Sequence, residues 1–442
     1  MEFDLVITDG DIVAEGQVRR RNVGVIAGRI AAISAEPLRG ARSYDAKGLL
    51  VFPGGVDTHV HFRDPGRTDK EDFATGTRAA ITGGFTTVLD IQNNEPFTVD
   101  VAAVKEKLSV IGPKARANYA IYGSVGVQNL ARLKGMAPYV GAFKAFMTQS
   151  VGSLTVTGLG DLTEVFKAAR ETGRVLAVHS ENDAIHLHAK AGLPDEVSSH
   201  VLARPPLAEA VAVAECLELV REYRTPINLP HLSTARAVEL VRRAKEDGLP
   251  VSAATCPHYL LFTADDVAKG GGVFKVNPSI KYASDRDGLL KGLREGVIDH
   301  VHSDHAPHTA AEKAQNYAAV PSGIAGIQHQ FLVLLGLAAE GKLTYPDVAR
   351  ALAEAPAKAF GLTDVGVLKA GARADFCLVA PDRPTLVARG DLVSKAATSP
   401  YIGRTFGSSV VGVVLGGRIL IRDGVRTDDG AYGQRLEPST SA

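Results

Sequence analysis

Beyond residue 50 the chain alternates short apolar runs with polar turns and with stretches whose apolar residues recur at helical spacing. The runs at 51–57, 86–91, 118–123, 141–146, 174–180, 226–231, 251–256 and 298–303 predict strands. Helices are expected between them, near 71–82, 100–107, 129–136, 161–172, 206–222, 234–247 and 286–295. Asp161 suits the first turn of one helix, and Ser233-Thr234 the start of another. Eight strands alternating with helices predict an α/β fold of the (β/α)8 TIM-barrel type. A doubly wound open sheet has a similar pattern. It does not naturally gather side chains from nearly every strand end around one centre.

The flanks have a different texture. Residues 1–50 read as short strands broken by Asp-Gly and Ala-Gly-Arg turns, and the same style returns after Gly361. The expected organisation is a barrel over 51–364 and a small β-sandwich built jointly from 1–50 and 365–442. Segment 309–330, with Pro321-Ser322-Gly323, reads as a loop excursion over the barrel end. Helices are expected at 327–340 and 346–360, and a mobile tail from Arg426.

Composition narrows the functional classes. The 442 residues carry 49 Lys+Arg against 49 Asp+Glu, so no basic surface for nucleic acid is implied. The three cysteines, Cys216, Cys256 and Cys377, are widely spaced and offer no disulfide framework. The charged, strand-like opening and the lack of a long apolar run predict a cytoplasmic protein with no membrane partner.

Chemistry concentrates where apolar runs end. His59 and His61 lie two apart in a strand, so both imidazoles can face one point. Lys144, His179, His231 and Asp304 each sit within or just after another apolar run. Taken singly, such a histidine is usually a hydrogen-bonded core or surface residue, Lys144 a snorkelling lysine and Asp304 a helix cap. Together they converge on the carboxyl end of a barrel, where this fold places its chemistry. Imidazole and carboxylate suit zinc and similar divalent ions. A protonated lysine does not, so a role for Lys144 implies a change to its amine.

The sequence resembles the cyclic amidohydrolases: dihydroorotase, allantoinase and hydantoinase. The resemblance runs from about Asp9 to Gly424 and is carried by PGGVDTHVHFRDPG, GTRAAITGGFTTVLDIQNNEP, GAFKAFM, HLSTARAVELVRRAKEDGLPVSAATCPHYL, KVNPSIK and HSDHAPHT. It implies two divalent ions, zinc expected, with His59, His61 and Asp304 on the first and His179 and His231 on the second. A CO2-derived carbamate on Lys144 would bridge them, supplying anionic oxygens in place of an ammonium. The reaction implied is hydrolytic opening of a cyclic amide, with Asp304 moving the proton. Relatives often form homodimers or homotetramers.

The substrate is read from the pocket. Dihydroorotases match this chain at Arg63, Asn93 and His308, which in that group hold a carboxylate, and at Asn277, which contacts the ring. A guanidinium offers a paired fork to a carboxylate. This favours dihydroorotate, converted reversibly to N-carbamoyl-aspartate in pyrimidine biosynthesis. Other segments lean elsewhere: His179-Ser180-Glu181-Asn182, Arg204-Pro205-Pro206 and Ser399-Pro400-Tyr401 look more like allantoinase or hydantoinase. Hydrolysis of another cyclic ureide or imide is therefore the alternative. A third class, dihydroorotase-like structural partners, has lost metal ligands, whereas this chain keeps the whole set.

Overall fold

The computed structural model describes residues 2–92, 94–149 and 154–439. Eight parallel strands run in sequence order around one sheet: β1 (Gly55–Val60), β2 (Phe85–Asp90), β3 (Asn118–Ser124), β4 (Ala142–Phe146), β5 (Leu176–His179), β6 (Ile227–Leu229), β7 (Val251–Thr255) and β8 (His300–Val301). The sheet closes just past the last strand. Val60 bridges His305 in parallel, and the His61 N–H donates to the His305 carbonyl at 2.8 Å. This is the expected TIM barrel. Every residue of β1 to β4 is buried, because one face fills the barrel and the other lies under helices.

The helices fall where apolar spacing placed them, and short polar residues start them. Asp72 caps Phe73–Thr82, Asp100 caps Val101–Ile111 and Thr234 caps Ala235–Glu246. Asp161 lies in the first turn of Leu159–Arg170, whose cap is Gly158.

Both chain ends meet in one nine-stranded sheet with its own core, in which Leu5, Ile7, Val25, Tyr44, Phe376 and Leu378 are buried. The β-sandwich expected there takes the form of this single, mainly antiparallel sheet. The run read as strand 51–57 divides between the two sheets. Leu50–Pro53 pairs with Phe376–Ala380 and with Leu5–Ala14, and the barrel begins at Gly55. The glycine pair makes that crossing possible. A Cβ on Gly54 would lie 2.2 Å from Thr86 Oγ1, and one on Gly55 would lie 2.6 Å from the Phe85 ring.

The tail expected to be mobile is pinned instead. Tyr119 N donates to Gln434 O, Leu436 N to Tyr119 O and Ser439 N to Gly361 O. Its backbone groups thus find partners at the amino end of the barrel, which polar composition alone does not reveal. Among the described residues no helix is long and apolar enough to cross a membrane.

Candidate active site

The carboxyl ends of the strands surround a cavity of about 290 Å³. His59, His61, His179, His231 and Asp304 line it together with Arg63, Asn277 and His308. Asn93 lies outside the described residues. The metal-ligating atoms of His59, His61 and Asp304 all lie within 4.8 Å of one another. Asp304 Oδ1 is 3.3 Å from His59 Nε2 and 3.2 Å from His61 Nε2. The His179 and His231 rings are 4.7 Å apart, and His231 is 5.3 Å from His59. The imidazoles therefore form one continuous cluster.

Burial sets the protonation of this cluster. It pushes His59, His61, His179 and His231 below the ordinary histidine range, leaving ring lone pairs available. Burial alone would raise Asp304. The hydrogen bond from His61 and the nearby imidazoles outweigh it and hold the carboxyl at about 2. Lys144 is fully buried, and its Nζ has no hydrogen-bond partner among the described residues. Desolvation lowers it to about 7, so a neutral, nucleophilic amine is accessible. An orphaned buried amine among neutral imidazoles and one carboxylate fits a site for divalent cations.

The backbone is bent to present these groups. Arg63, His231 and Asp304 have φ of 61°, 44° and 45°, in the left-handed region that side chains seldom adopt. His231 is held there partly by its own N–H, which donates to His302 Nε2 at 3.1 Å. Asp57 receives the N–H groups of His59 and Ser303, coupling the first and last strands.

Residues 50–420 match the amidohydrolase family. The chain belongs to that family. It is 35% identical to an allantoinase of Bacillus velezensis over 99% of this chain and 98% of that one. It is 36% identical to a dihydroorotase of Anaeromyxobacter sp. over 95% of this chain and 98% of that one. Among solved structures it resembles the L-hydantoinase (dihydropyrimidinase) of Arthrobacter aurescens, with a TM-score of 0.95 at 27% identity, covering 98% and 100% of the two chains.

Sequence reasoning missed the groups that hold the amidohydrolase site in place. Glu181 Oε2 accepts from His179 Nε2 at 2.8 Å and from Arg204. That bond commits the Nε2 proton and leaves Nδ1 as the ring's lone pair. Glu209 accepts from the backbone and hydroxyl of both Ser233 and Thr234, bracing the loop that follows His231. His302 stacks on His59 with centroids 4.5 Å apart. Period-two spacing from Asp304 and from His179 was the available signal for His302 and Glu181. Nothing local in the sequence points to Glu209.

Proposed function

We propose that this amidohydrolase opens a cyclic ureide bearing a carboxylate, dihydroorotate, to N-carbamoyl-aspartate, a reversible step of pyrimidine biosynthesis. Membership of the family makes ring-opening hydrolysis of a cyclic amide the reaction class. One observation carries the finer reading. Arg63 and His308 line the same cavity as the imidazole cluster and stand side by side, with Arg63 Nη2 3.4 Å from His308 Nε2. Burial lowers the Arg63 guanidinium to about 10, which leaves it charged at neutral pH. A guanidinium lining the cavity offers a paired hydrogen-bond fork that matches a carboxylate. Asn277, whose Oδ1 accepts from Ser322 Oγ at 3.1 Å, lines the same cavity to contact the ring.

His59, His61 and Asp304 would hold one divalent ion and His179 and His231 a second, with a carbamate on Lys144 joining them and zinc the expected metal. Such ions, when bound, polarise the ring carbonyl and acidify water. The protein's own groups do the rest. Arg63, held beside His308, fixes the ring by its carboxylate and so aims the amide at the imidazole cluster. Asp304, held ionised, accepts the proton of the attacking water and returns it to the ring nitrogen as the C–N bond breaks. The water oxygen ends on the carbonyl carbon, and the nitrogen leaves as part of the ureido group.

A second reading, allantoin hydrolysis, is supported by the allantoinase matched over nearly the whole chain. Allantoin has no carboxylate to answer Arg63. Ring-opening rates on dihydroorotate, allantoin, hydantoin and dihydrouracil decide between them. The highest kcat/KM on dihydroorotate is expected, and a preference for allantoin would replace this reading with the second.

A further inference from the structure

Arg63 and Lys70 lie on the loop after β1, His308 on the loop after β8, and Glu312 in the short helix Ala310–Lys313 that follows it. Lys70 Nζ joins the two loops. It is buried, 2.6 Å from Glu312 Oε1 and 3.2 Å from His308 Nδ1. Glu312 is fixed in turn by the backbone N–H and hydroxyl of Thr309.

This contact decides the state of His308. An ammonium has three donors and no acceptor, so the ring nitrogen facing it must accept. Nδ1 therefore carries the lone pair and Nε2 the proton. The other contact agrees, since Nε2 lies 3.1 Å from the Ser322 carbonyl, which can only accept. The charged neighbours act in the same sense. Burial, then Arg63, Lys70 and Lys313, lower His308 to about 2, against the opposing Glu312. With Nε2 protonated, its 3.4 Å approach to Arg63 Nη2 sets two donors beside each other. The Ser322 carbonyl already takes that single proton, so the ring is fixed beside the guanidinium, whose own paired fork suits an anionic group.

We infer that Lys70 is a positioning residue for substrate specificity: it locks His308 as the Nε2–H tautomer, pinned between Lys70 and the Ser322 carbonyl, so that the ring holds the Arg63 guanidinium beside it in place for a carboxylate. The substrate arm of this inference rests on the carboxylate reading above. The tautomer arm does not.

The test uses metal-loaded enzyme and the variants Lys70→Met and Lys70→Arg. Long-range 1H–15N spectra of histidine-labelled protein, with His308 assigned by its loss in His308→Asn, read the tautomer directly. The wild type should show a bare Nδ1 and protonated Nε2. Lys70→Met should show a mixture, and Lys70→Arg, which can still donate to Nδ1, should restore the single form. In kinetics, Lys70→Met should raise KM for dihydroorotate by ~10-fold while changing kcat much less, the scale of one weakened charge-assisted hydrogen bond. An unchanged tautomer in Lys70→Met, or a fall in kcat with KM unaltered, overturns the inference. If the wild type does not turn over dihydroorotate, the substrate reading fails, and the spectra alone decide the role of Lys70.

Discussion

Two buried carboxylates at opposite ends of the barrel are pulled in opposite directions. At the mouth, imidazole neighbours hold Asp304 at about 2 despite its burial. At the junction of the terminal sheet with the barrel's amino end, Asp375 is equally enclosed, and burial raises it to about 6. Asp375 accepts from Asn118 Nδ2 and Gly416 N, and its carbonyl receives the Gly54 N–H. Those are joinery contacts. The backbone differs in the same way. Left-handed residues in the terminal sheet, such as Glu15, Ala27 and Asp423, each precede a left-handed glycine in a hairpin turn, where that conformation is cheap. Arg63, His231 and Asp304 adopt it inside the cavity. The mouth stabilises a buried charge and holds a strained backbone, whereas at the junction the backbone is relaxed and ionisation costs stability; the variants below test that division.

The largest effect is expected from Lys144→Ala. Removing the amine removes the proposed bridging group, so metal content should fall and kcat/KM should drop by about 1000-fold or more, the scale of lost Lewis-acid stabilisation. Metal analysis beside kinetics checks it, and short carboxylic acids should recover part of the activity. Full occupancy in the variant would contradict the carbamate role and make Lys144 a buried lysine of the ordinary kind.

Arg63→Met comes next. It leaves the imidazole cluster intact, so metal content should stay at the wild-type level. Loss of a buried charged partner should lower kcat/KM on dihydroorotate by about 100-fold. Unchanged kcat/KM would sink the carboxylate assignment while leaving the metal centre standing.

Glu181→Gln probes the support behind His179, a proposed metal ligand. The amide oxygen can accept from His179 or from Arg204, but without the charge that now answers both. Metal affinity should weaken by about 10- to 100-fold, as for other such supporting groups, measured by competition with a chelator. Wild-type affinity would mean that His179 is oriented by packing alone.

How far the sequence revealed this contrast depends on the range of the interactions. The barrel was legible because strand and helix periods repeat along the chain. His59, His61, Lys144, His179, His231 and Asp304 were legible because each ends an apolar run, and one sheet then carries all of those ends to one edge. Lys70 carried no signal in the sequence, since its partners His308 and Glu312 lie on the far side of the barrel closure. The crossing at Gly54 was hidden by an apolar run that continues through it unchanged. The pinned tail was hidden because its contacts are backbone hydrogen bonds, which leave no pattern in side-chain composition.

The smallest effect, and the sharpest check on the junction, is the pH dependence of Asp375→Asn. Because the folded-state value lies above the ordinary carboxylate value of 3.8, the native state holds the proton more tightly than the unfolded chain between pH 4 and 6. Stability from this group is therefore highest at low pH and falls as pH rises through that window, after which the cost is constant. A rise to about 6 corresponds to about 3 kcal/mol in full, of which about 2 falls between pH 4 and pH 8, while the hydrogen bond that an amide cannot keep offsets the variant by about 1 at every pH. Between pH 4 and pH 8 the variant should thus gain about 2 kcal/mol relative to the wild type, read from paired denaturant titrations. Asn resembles the protonated acid, so the two proteins should be closest at pH 4. A flat difference across the range would mean that Asp375 is ionised at no cost, and that the junction tolerates a buried charge as readily as the mouth does.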